Sequence, residues 1–288
     1  MIPASFDYIA AKTLDDAISL LGKHKDDAKI LAGGHSLLPA MKLRLMQPKV
    51  LIDLSRIKDL SYIKEEGGQI RIGAMTTHFQ VETSDILRRA CPLLPETASH
   101  LGDMQVRNKG TIGGSLVHSD PAADWPAAIL ALDAELVAKG AKGDRVIKAS
   151  DFFVEMLTTA LEPGEVLREI RIPAAKGKVG RAYLKVRHPA SGFAVVGVAI
   201  NLSIDGGKCQ SAGIGITGVS SKAYRAAKVE SALKGNALDA KTLGAAAAHA
   251  ANGVDVNSDL YASADYRKQL AAVYTRRALE TAVSRAGK

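Results

Sequence analysis

Cysteine is scarce in this chain of 288 residues, which holds only Cys91 and Cys209. The two lie far apart, with no CxxC spacing and no nearby histidine. A disulfide framework needs paired cysteines, and zinc or iron–sulfur sites need clustered ligands. The sequence therefore specifies neither kind of site, and we expect both thiols to be buried as small apolar groups.

Long apolar stretches are also missing. No uninterrupted apolar run approaches the roughly 18 residues that a membrane-spanning helix needs. Charged residues at positions 7, 12, 15 and 16 fall where a signal peptide would require an apolar segment. We therefore expect a cytoplasmic protein with at most a peripheral association with the inner face of the membrane.

Aromatic residues make up only 5% of the chain, which leaves few platforms for stacking bases. The net charge of +8 is compatible with nucleic acid, an anionic cofactor or an acidic partner. However, the basic residues are interspersed with acidic ones, as at 23–29 and 64–71. Hydrophobic residues reach 47%, enough for a sizeable core. We expect a globular protein that binds no nucleic acid.

The first part of the sequence alternates between helix and strand signals. Thr13 followed by Asp16 has the form of a capping box, and apolar residues then recur on one helical face. The pattern predicts a helix from residue 14, a strand at 28–32 broken by two glycines, a helix at 37–46, a strand at 50–54 and a hairpin at 62–74.

The central part mixes helices with further strands. Residues 77–101 have a helical pattern that we expect to be interrupted at Pro92 and Pro95. A polar stretch then leads into a second glycine-rich loop at 110–115. Beyond it, the pattern predicts a helix at 126–132 and strands at 135–138, 145–148 and 166–172.

A domain boundary is expected near Lys176, Gly177 and Lys178. After this boundary, the sequence alternates as antiparallel strands do, and alanine-rich helices follow with no further strand. The predicted strands are 182–187, 194–204 and 208–216, and the predicted helices are 223–234, 240–251 and 266–286.

Two glycine-containing segments carry the strongest chemical signal. Ala-Gly-Gly-His-Ser at 32–36 lies between a predicted strand and a predicted helix, and Thr-Ile-Gly-Gly-Ser at 111–115 again combines a glycine pair with hydroxyl side chains. A dinucleotide pyrophosphate needs several backbone N–H donors converging on it, and glycine lets the backbone come close. The alternative is a tight turn without a ligand at each place. Because the combination occurs twice, we favour a phosphate site.

A third glycine set is misleading. Gly213, Gly215 and Gly218 match the GxGxxG spacing of Rossmann dinucleotide-binding folds. That motif belongs in the first strand-to-helix turn of a parallel sheet, whereas here it ends a predicted antiparallel run. We therefore expect no dinucleotide at these glycines.

Four stretches together resemble one family. Phe-Asp-Tyr at 6–8 before a capped helix, AGGHS at 32–36, QVRNKGTIGGS at 105–115 and DPAAD at 120–124 are similar to the FAD-binding medium subunit of the molybdenum hydroxylases. The resemblance covers nearly the whole chain. Within the family, AGGHSLLPAMKLRL is most similar to the medium chains of aerobic carbon monoxide dehydrogenases.

The resemblance implies an α+β fold of three parts. Two α/β subdomains of the vanillyl-alcohol-oxidase-type FAD-binding fold would occupy residues 1–55 and 56–177. A C-terminal domain of antiparallel strands and helices would occupy residues 178–288.

The resemblance also implies a site for non-covalent FAD. The segments at 32–36 and 111–115 would hold the pyrophosphate and neighbouring ribose or ribityl groups, and Asp124 would accept hydrogen bonds from cofactor hydroxyls. Lys185 would lie near the isoalloxazine, where a cation favours the reduced flavin. The predicted cofactor-binding residues are Ala32, Gly33, Gly34, His35, Ser36, Leu37, Leu101, Thr111, Ile112, Gly113, Gly114, Ser115, Asp124 and Lys185. No catalytic residue and no metal ligand is expected on this chain.

Several of these residues have structural alternatives. Asp124 could be the N-cap of the predicted helix near 126, and Lys185 could be a solvated strand lysine. We expect His35 to contribute its backbone rather than its imidazole. His118 and His188 have no assigned role. Tyr8, Tyr183 and Phe193 are aromatic residues that could lie either in the core or in the pocket.

The family resemblance implies an electron-transfer role. Substrate would be oxidised at a molybdenum cofactor on a large partner subunit, and [2Fe-2S] clusters on a small partner subunit would pass electrons to FAD and on to a quinone, in a dimer of heterotrimers. Ser115 stands where the family often has asparagine, and two isolated cysteines cannot hold the extra iron–sulfur cluster of some relatives. The alternatives are the flavin subunit of a xanthine- or nicotinate-type dehydrogenase with another acceptor, a stand-alone flavoprotein oxidoreductase, and a phosphate-ligand binder without redox chemistry.

Overall fold

The computed structural model describes residues 1–175 and 177–286. The N-terminal part is a parallel sheet in the order β1-β3-β2, with one helix after each of the first two strands. Its elements are β1 (Asp7–Ala10), α1 (Leu14–His24), β2 (Ala28–Leu31), α2 (Leu37–Lys42) and β3 (Val50–Asp53). The Asp16 amide donates to the Thr13 hydroxyl at 3.1 Å, which confirms the predicted start of α1. Because β2 ends at Leu31, residues 32–36 lie at the carboxyl edge of this sheet.

The middle part has a wholly antiparallel sheet in the order β4-β5-β10-β6-β7. Its strands are β4 (Ile63–Glu66), β5 (Gln69–Gly73), β6 (Glu135–Gly140), β7 (Gly143–Lys148), β8 (Phe153–Glu155), β9 (Thr158–Thr159) and β10 (Val166–Pro173), of which β8 and β9 form a separate hairpin. Its helices are α3 (His78–Thr83), α4 (Asp85–Ala90), α5 (Leu93–Ser99), α6 (Met104–Lys109), α7 (Ile112–His118), α8 (Asp124–Ala131) and α9 (Ala149–Phe152). Fully buried Ile72 and Ile170 of the sheet share one apolar cluster with Leu94, Leu116 and Ile129 of the helices. This cluster holds α7 and α8 against the sheet.

The C-terminal part is an antiparallel sheet in the order β11-β12-β13-β14, followed by three helices. Its elements are β11 (Lys178–Arg187), β12 (Ala194–Asp205), β13 (Lys208–Thr217), β14 (Tyr224–Arg225), α10 (Ala227–Leu233), α11 (Ala240–Ala247) and α12 (Ala264–Arg285). Together with the two preceding parts, this arrangement confirms the predicted α+β class.

The third glycine set serves close packing between helix and sheet. A Cβ atom on Gly213 or Gly215 would lie 2.0 Å from the carbonyl oxygens of Ala131 and Ala127 on α8. Both glycines lie on β13, which pairs antiparallel with β12. A Rossmann site is therefore excluded at this segment.

Two predicted helical stretches, 77–101 and 223–234, are wrong in detail. Pro95 does not interrupt a helix, because it lies in the first turn of α5, where a missing N–H is tolerated. An additional break falls at Ser84, whose side chain caps α4. The predicted helix at 223–234 begins only at Ala227, because Tyr224 and Arg225 pair with β13 as a further strand.

The remaining predictions concern the two cysteines, the domain boundary and membrane-spanning helices. Cys91 and Cys209 are fully buried and form no disulfide, as predicted. The expected boundary falls between β10 and β11, but Lys176 itself lies outside the described residues, as do positions 287–288 of the predicted C-terminal domain. Among the described helices, none has both the length and the apolar character needed to cross a membrane.

Candidate functional site

A cleft of about 570 Å³ lies between the end of β2, the start of α7 and the β11–β12 turn. This volume falls within the range of small-molecule and cofactor pockets. Every predicted cofactor-binding residue lines the cleft except Ile112 and Lys185. Ile112 is fully buried in the core, where its side chain anchors α7. The sequence thus identified residues that the fold brings together from four separate stretches of the chain.

One side of the cleft is formed by residues 32–37, which we name the open loop. Within residues 1–175 and 177–286, none of the backbone N–H groups of this loop has a hydrogen-bond partner. Gly34 has a φ of +76°, which turns the chain from β2 into α2. The Ser36 side chain makes no capping bond to α2. Since backbone amides in folded proteins are rarely left unpaired, these donors are available to a ligand in the cleft.

Residues 111–115, which we name the capped turn, form an adjacent part of the cleft wall. The predicted glycine-rich loop is wrong here, because these residues begin helix α7 with Thr111 as its N-cap. The amides of this turn are already used within the protein. Ile112 donates to the Thr76 carbonyl at 3.0 Å, Gly113 to the Ala74 carbonyl at 2.9 Å, Gly114 to the Thr111 hydroxyl at 3.1 Å, and Ser115 to the Thr111 carbonyl at 3.0 Å. The turn therefore offers a ligand the hydroxyl groups of Thr111 and Ser115, and a surface without side chains at Gly113 and Gly114.

The glycines bring the open loop and the capped turn into contact. A Cβ atom on Gly33 would lie 2.3 Å from the carbonyl oxygen of Lys109, directly before the capped turn. A Cβ atom on Gly114 would meet the Thr111 hydroxyl at 2.8 Å and Ala32 at 3.4 Å. Gly33 and Gly114 therefore both permit close packing of the protein against itself, and both line the cleft.

A buried ion pair supports the cleft from behind. Lys185 donates to Asp124 at 2.8 Å, and the two side chains are 1% and 3% exposed. Tyr183 donates its hydroxyl to the other carboxylate oxygen, and Lys185 also donates to the His100 carbonyl at 3.1 Å. Burial raises the pKa of Asp124, an effect that Lys185 opposes. Burial also raises the pKa of Tyr183 well above its ordinary value, so this phenol remains a donor.

These contacts decide two of the alternatives. Ala123, not Asp124, is the N-cap of α8, so the capping interpretation of Asp124 is wrong. Lys185 is not a solvated strand lysine, because its side chain is almost fully buried. Asp124 lines the cleft and Lys185 does not. Lys185 therefore contacts Asp124 and does not reach the cleft surface itself.

His78 is a cleft residue that the sequence analysis missed. It is 4% exposed, and its Nδ1 atom accepts a hydrogen bond from the Trp125 indole N–H at 3.1 Å. Burial lowers the pKa of His78 to about 4, with smaller contributions from His35 and Arg107. The Thr77-to-Gln80 capping box marks a helix start in the sequence. It carries no sign that Trp125 and the cleft lie beside that helix.

The remaining candidates divide between cleft, core and surface. Phe193 is 45% exposed and lines the cleft from the β11–β12 turn, as does His118 from the end of α7. Tyr183 is fully buried, whereas Tyr8 is 54% exposed and bonds to Asp53. His188 accepts the Ala190 and Ser191 amides within the β11–β12 turn.

The donor set fits FAD. A pyrophosphate needs converging N–H and O–H donors, which the open loop and Ser36 provide. Ribose and ribityl hydroxyls need acceptors, and Asp124 lines the cleft with a nearly buried carboxylate whose oxygens, each already accepting one bond, have lone pairs left for further donors. Leu101, 9% exposed, offers an apolar contact for a ring system. Over the described part of the chain, no three His, Cys, Asp or Glu side chains are placed together so that they could hold a metal ion.

Comparison with known proteins matches two family models to the chain, one over the first two parts and one over the C-terminal part. The FAD binding domain in molybdopterin dehydrogenase matches residues 4–175, and the CO dehydrogenase flavoprotein C-terminal domain matches residues 181–282. The carbon monoxide dehydrogenase medium chain of Afipia carboxidovorans is 42% identical over 286 residues, covering 99% of both chains. A subunit of the 6-hydroxypseudooxynicotine dehydrogenase complex of Paenarthrobacter nicotinovorans is 36% identical, covering 99% of this chain and 97% of that one.

A solved structure gives the same result. A chain of carbon monoxide dehydrogenase from Hydrogenophaga pseudoflava superposes with a TM-score of 0.97 at 42% identity, covering all of both chains. The fold, the cleft and both domain matches agree with the resemblance found in the sequence. The chain belongs to the family of FAD-binding subunits of molybdopterin-dependent dehydrogenases.

Proposed function

We propose that this chain is the FAD-binding electron-transfer subunit of an aerobic carbon monoxide dehydrogenase. The observation that carries the proposal is its 42% identity to a carbon monoxide dehydrogenase medium chain over 99% of its length. Subunits of other dehydrogenases in the family are less similar, with 36% identity for the hydroxypseudooxynicotine enzyme and 28% for a xanthine dehydrogenase.

The residues of the cleft have distinct roles in this proposal. The open-loop amides and the Ser36 hydroxyl hold the pyrophosphate. The hydroxyls of Thr111 and Ser115 bind neighbouring ribose or ribityl oxygens. Asp124 accepts hydrogen bonds from cofactor hydroxyls, while Lys185 fixes its carboxylate. The remaining predicted residues, Ala32, Gly33, Gly34, His35, Leu37, Leu101, Gly113 and Gly114, shape the cleft by backbone or apolar contact.

Bound FAD supplies a centre that stores two electrons between one-electron carriers and an acceptor. The chain needs no acid–base pair for this task, since it only binds and orients the cofactor. We place carbon monoxide oxidation on a large molybdenum subunit and the [2Fe-2S] clusters on a small subunit, in a dimer of heterotrimers that reduces a quinone. The complex would be cytoplasmic, and peripheral contact with the membrane would bring it to the quinone.

The proposed domain limits are residues 1–55, 56–177 and 178–288. The sheets change within the described residues between Asp53 and Ile63, and again between Pro173 and Lys178. These changes support limits at both places.

The experiment that tests the proposal is an assay of the purified complex. We expect the chain to copurify with a large and a small partner, and the complex to reduce a quinone with carbon monoxide as electron donor. Xanthine and nicotinate are the control substrates. Turnover of either of these without turnover of carbon monoxide would favour the other branch of the family, and substrate turnover by the isolated chain would favour a stand-alone flavoprotein.

A further inference from the structure

The His78 imidazole has one hydrogen-bonding atom that the protein leaves unused. Nδ1 accepts the Trp125 indole N–H at 3.1 Å, and an indole nitrogen can only donate. Nδ1 must therefore be unprotonated, and in the neutral ring the proton lies on Nε2. Trp125 is fully buried and packed in the core, so this tautomer is held by a fixed partner.

The Nε2 edge faces the cleft. Among the residues that the structure describes, Nε2 has no hydrogen-bond partner, and it is not sealed within the core. A Cβ atom on Gly110 would lie 2.7 Å from Nε2. The absence of a side chain at Gly110 therefore leaves this edge uncovered. Both residues line the cleft.

Nε2 lies on the side of the cleft where the open loop meets the capped turn. A Cβ atom on Gly33 would lie 2.7 Å from the Cα atom of Gly110, so these two backbones are in contact. His78 also donates its own amide to the Gly110 carbonyl at 3.0 Å. The Nε2–H donor and the open-loop amides thus face the same region.

We propose that His78 is a further cofactor-contact residue, whose Nε2–H donates a hydrogen bond to a pyrophosphate oxygen of FAD. Trp125 is the positioning residue that keeps the proton on Nε2. The inference rests on the proposed function, because it assumes that the open loop holds the pyrophosphate. A neutral donor adds no charge to the site.

The test is titration of the full chain, stripped of flavin, with FAD, ADP and riboflavin. ADP carries a pyrophosphate without a flavin, and riboflavin carries the flavin without phosphate. The variants are His78→Phe, which keeps a ring but loses the donor, and His78→Gln, whose amide can donate. His249→Phe is the matched control, because His249 is exposed and lies outside the cleft.

For His78→Phe we expect affinity for FAD and for ADP to fall about tenfold, the size of a lost hydrogen bond to a charged group, with riboflavin affinity unchanged. His78→Gln should recover part of the loss, and the control should match the parent protein. Trp125→Phe removes the hydrogen bond that keeps the proton on Nε2, and it should lower the affinity for FAD and for ADP by a smaller factor.

Three results would overturn the inference. One is unchanged FAD affinity in folded His78→Phe or, where that variant does not fold, in folded His78→Leu, which also lacks the donor. Another is an equal loss for riboflavin, which would mean a general distortion of the cleft. If the parent chain binds no FAD at all, the proposed function is wrong, and this inference, which rests on it, fails as well.

Discussion

The open loop and the capped turn both line the cleft and differ in how they use their backbone amides. In the open loop, residues 32–37 have no partner for their N–H groups among the residues that the structure describes. In the capped turn, the amides of Ile112 to Ser115 all donate to protein oxygens at 2.9 to 3.1 Å. The open loop is therefore the side that can bind phosphate through its backbone.

The side of the capped turn contributes rigidity instead. Behind it lie the fully buried Trp125 and the Asp124–Lys185 pair, with Tyr183 donating to the same carboxylate. A fixed surface of this kind lowers the entropy that must be lost when a cofactor is ordered against it. The difference teaches that glycine pairs alone do not reveal whether a segment binds by its amides or by its shape. It also predicts that variants which break contacts within the protein, such as those of Lys185 and Gly33, change stability first, whereas variants at ligand-facing groups, such as Gly114 and Ser36, change cofactor affinity.

The largest effect is expected for Lys185→Met. This change leaves Asp124 buried without its cation, and breaking a buried pair in this way costs about 3–5 kcal/mol. We expect the free energy of unfolding of the flavin-free chain, measured in urea, to fall by this amount. The double variant Asp124→Asn with Lys185→Met should recover part of the loss. A loss below about 1 kcal/mol would show that the capped side does not depend on the pair.

A pH dependence of stability is expected from His78. Its pKa is lowered from the ordinary 6.5 to about 4 by burial, so between these values the unfolded chain binds a proton that the folded chain does not. Stability should therefore fall as the pH falls through this window, by about 3 kcal/mol in total, with no contribution above it. Urea unfolding at a series of pH values measures this slope, which is the change in the free energy of unfolding per pH unit. His78→Phe should remove it, and an unchanged slope in that variant would contradict the assignment.

Gly33 of the open loop and Gly114 of the capped turn should separate stability from binding. A methyl group on Gly33 meets the Lys109 carbonyl, and we expect Gly33→Ala to lower the free energy of unfolding by about 1–3 kcal/mol. Gly114 lies inside α7, where alanine favours the helix by about 1 kcal/mol and offsets the closer contact with Thr111. Gly114→Ala should therefore keep the stability of the flavin-free chain and weaken FAD binding. Equal thermal melting temperatures for the two flavin-free variants would break the comparison.

The smallest effect is expected for Ser36→Ala in the open loop. Loss of one hydroxyl donor should weaken FAD binding by about 0.5–1.5 kcal/mol and leave the melting temperature of the flavin-free chain unchanged. Ser284→Ala, in the last helix, is the matched control. If Ser36→Ala lowers the stability of the flavin-free chain and leaves its affinity for FAD unchanged, Ser36 has a structural role and does not contact the ligand.

The sequence predicted the parts of this site that depend on short-range patterns. Helix α1 follows from the Thr13 cap, and the open loop follows from a strand, two glycines and a helix in immediate succession. The family motifs added Asp124 and Lys185, which the structure joins as an ion pair.

Long-range contacts account for what the sequence could not predict. The capped turn is a helix start because Ala74 and Thr76, far back in the chain, accept its amides. The position of His78 beside the cleft depends on Trp125, which is separated from it by 47 residues. Pairing with β13, a tertiary contact, likewise turns Tyr224 and Arg225 into a strand where local composition favours a helix.

The most direct test of the central claim is the flavin content of the purified chain, alone and with its copurifying partners. The account predicts a flavin absorbance spectrum, and FAD released intact by acid because the contacts are non-covalent. It also predicts that the flavin is lost when bulky side chains replace residues of the open loop, as in Gly34→Val, where the φ of +76° already disfavours any side chain. A parent chain that takes up no FAD, even after reconstitution together with its partners, would contradict the account and leave both glycine segments as structural turns.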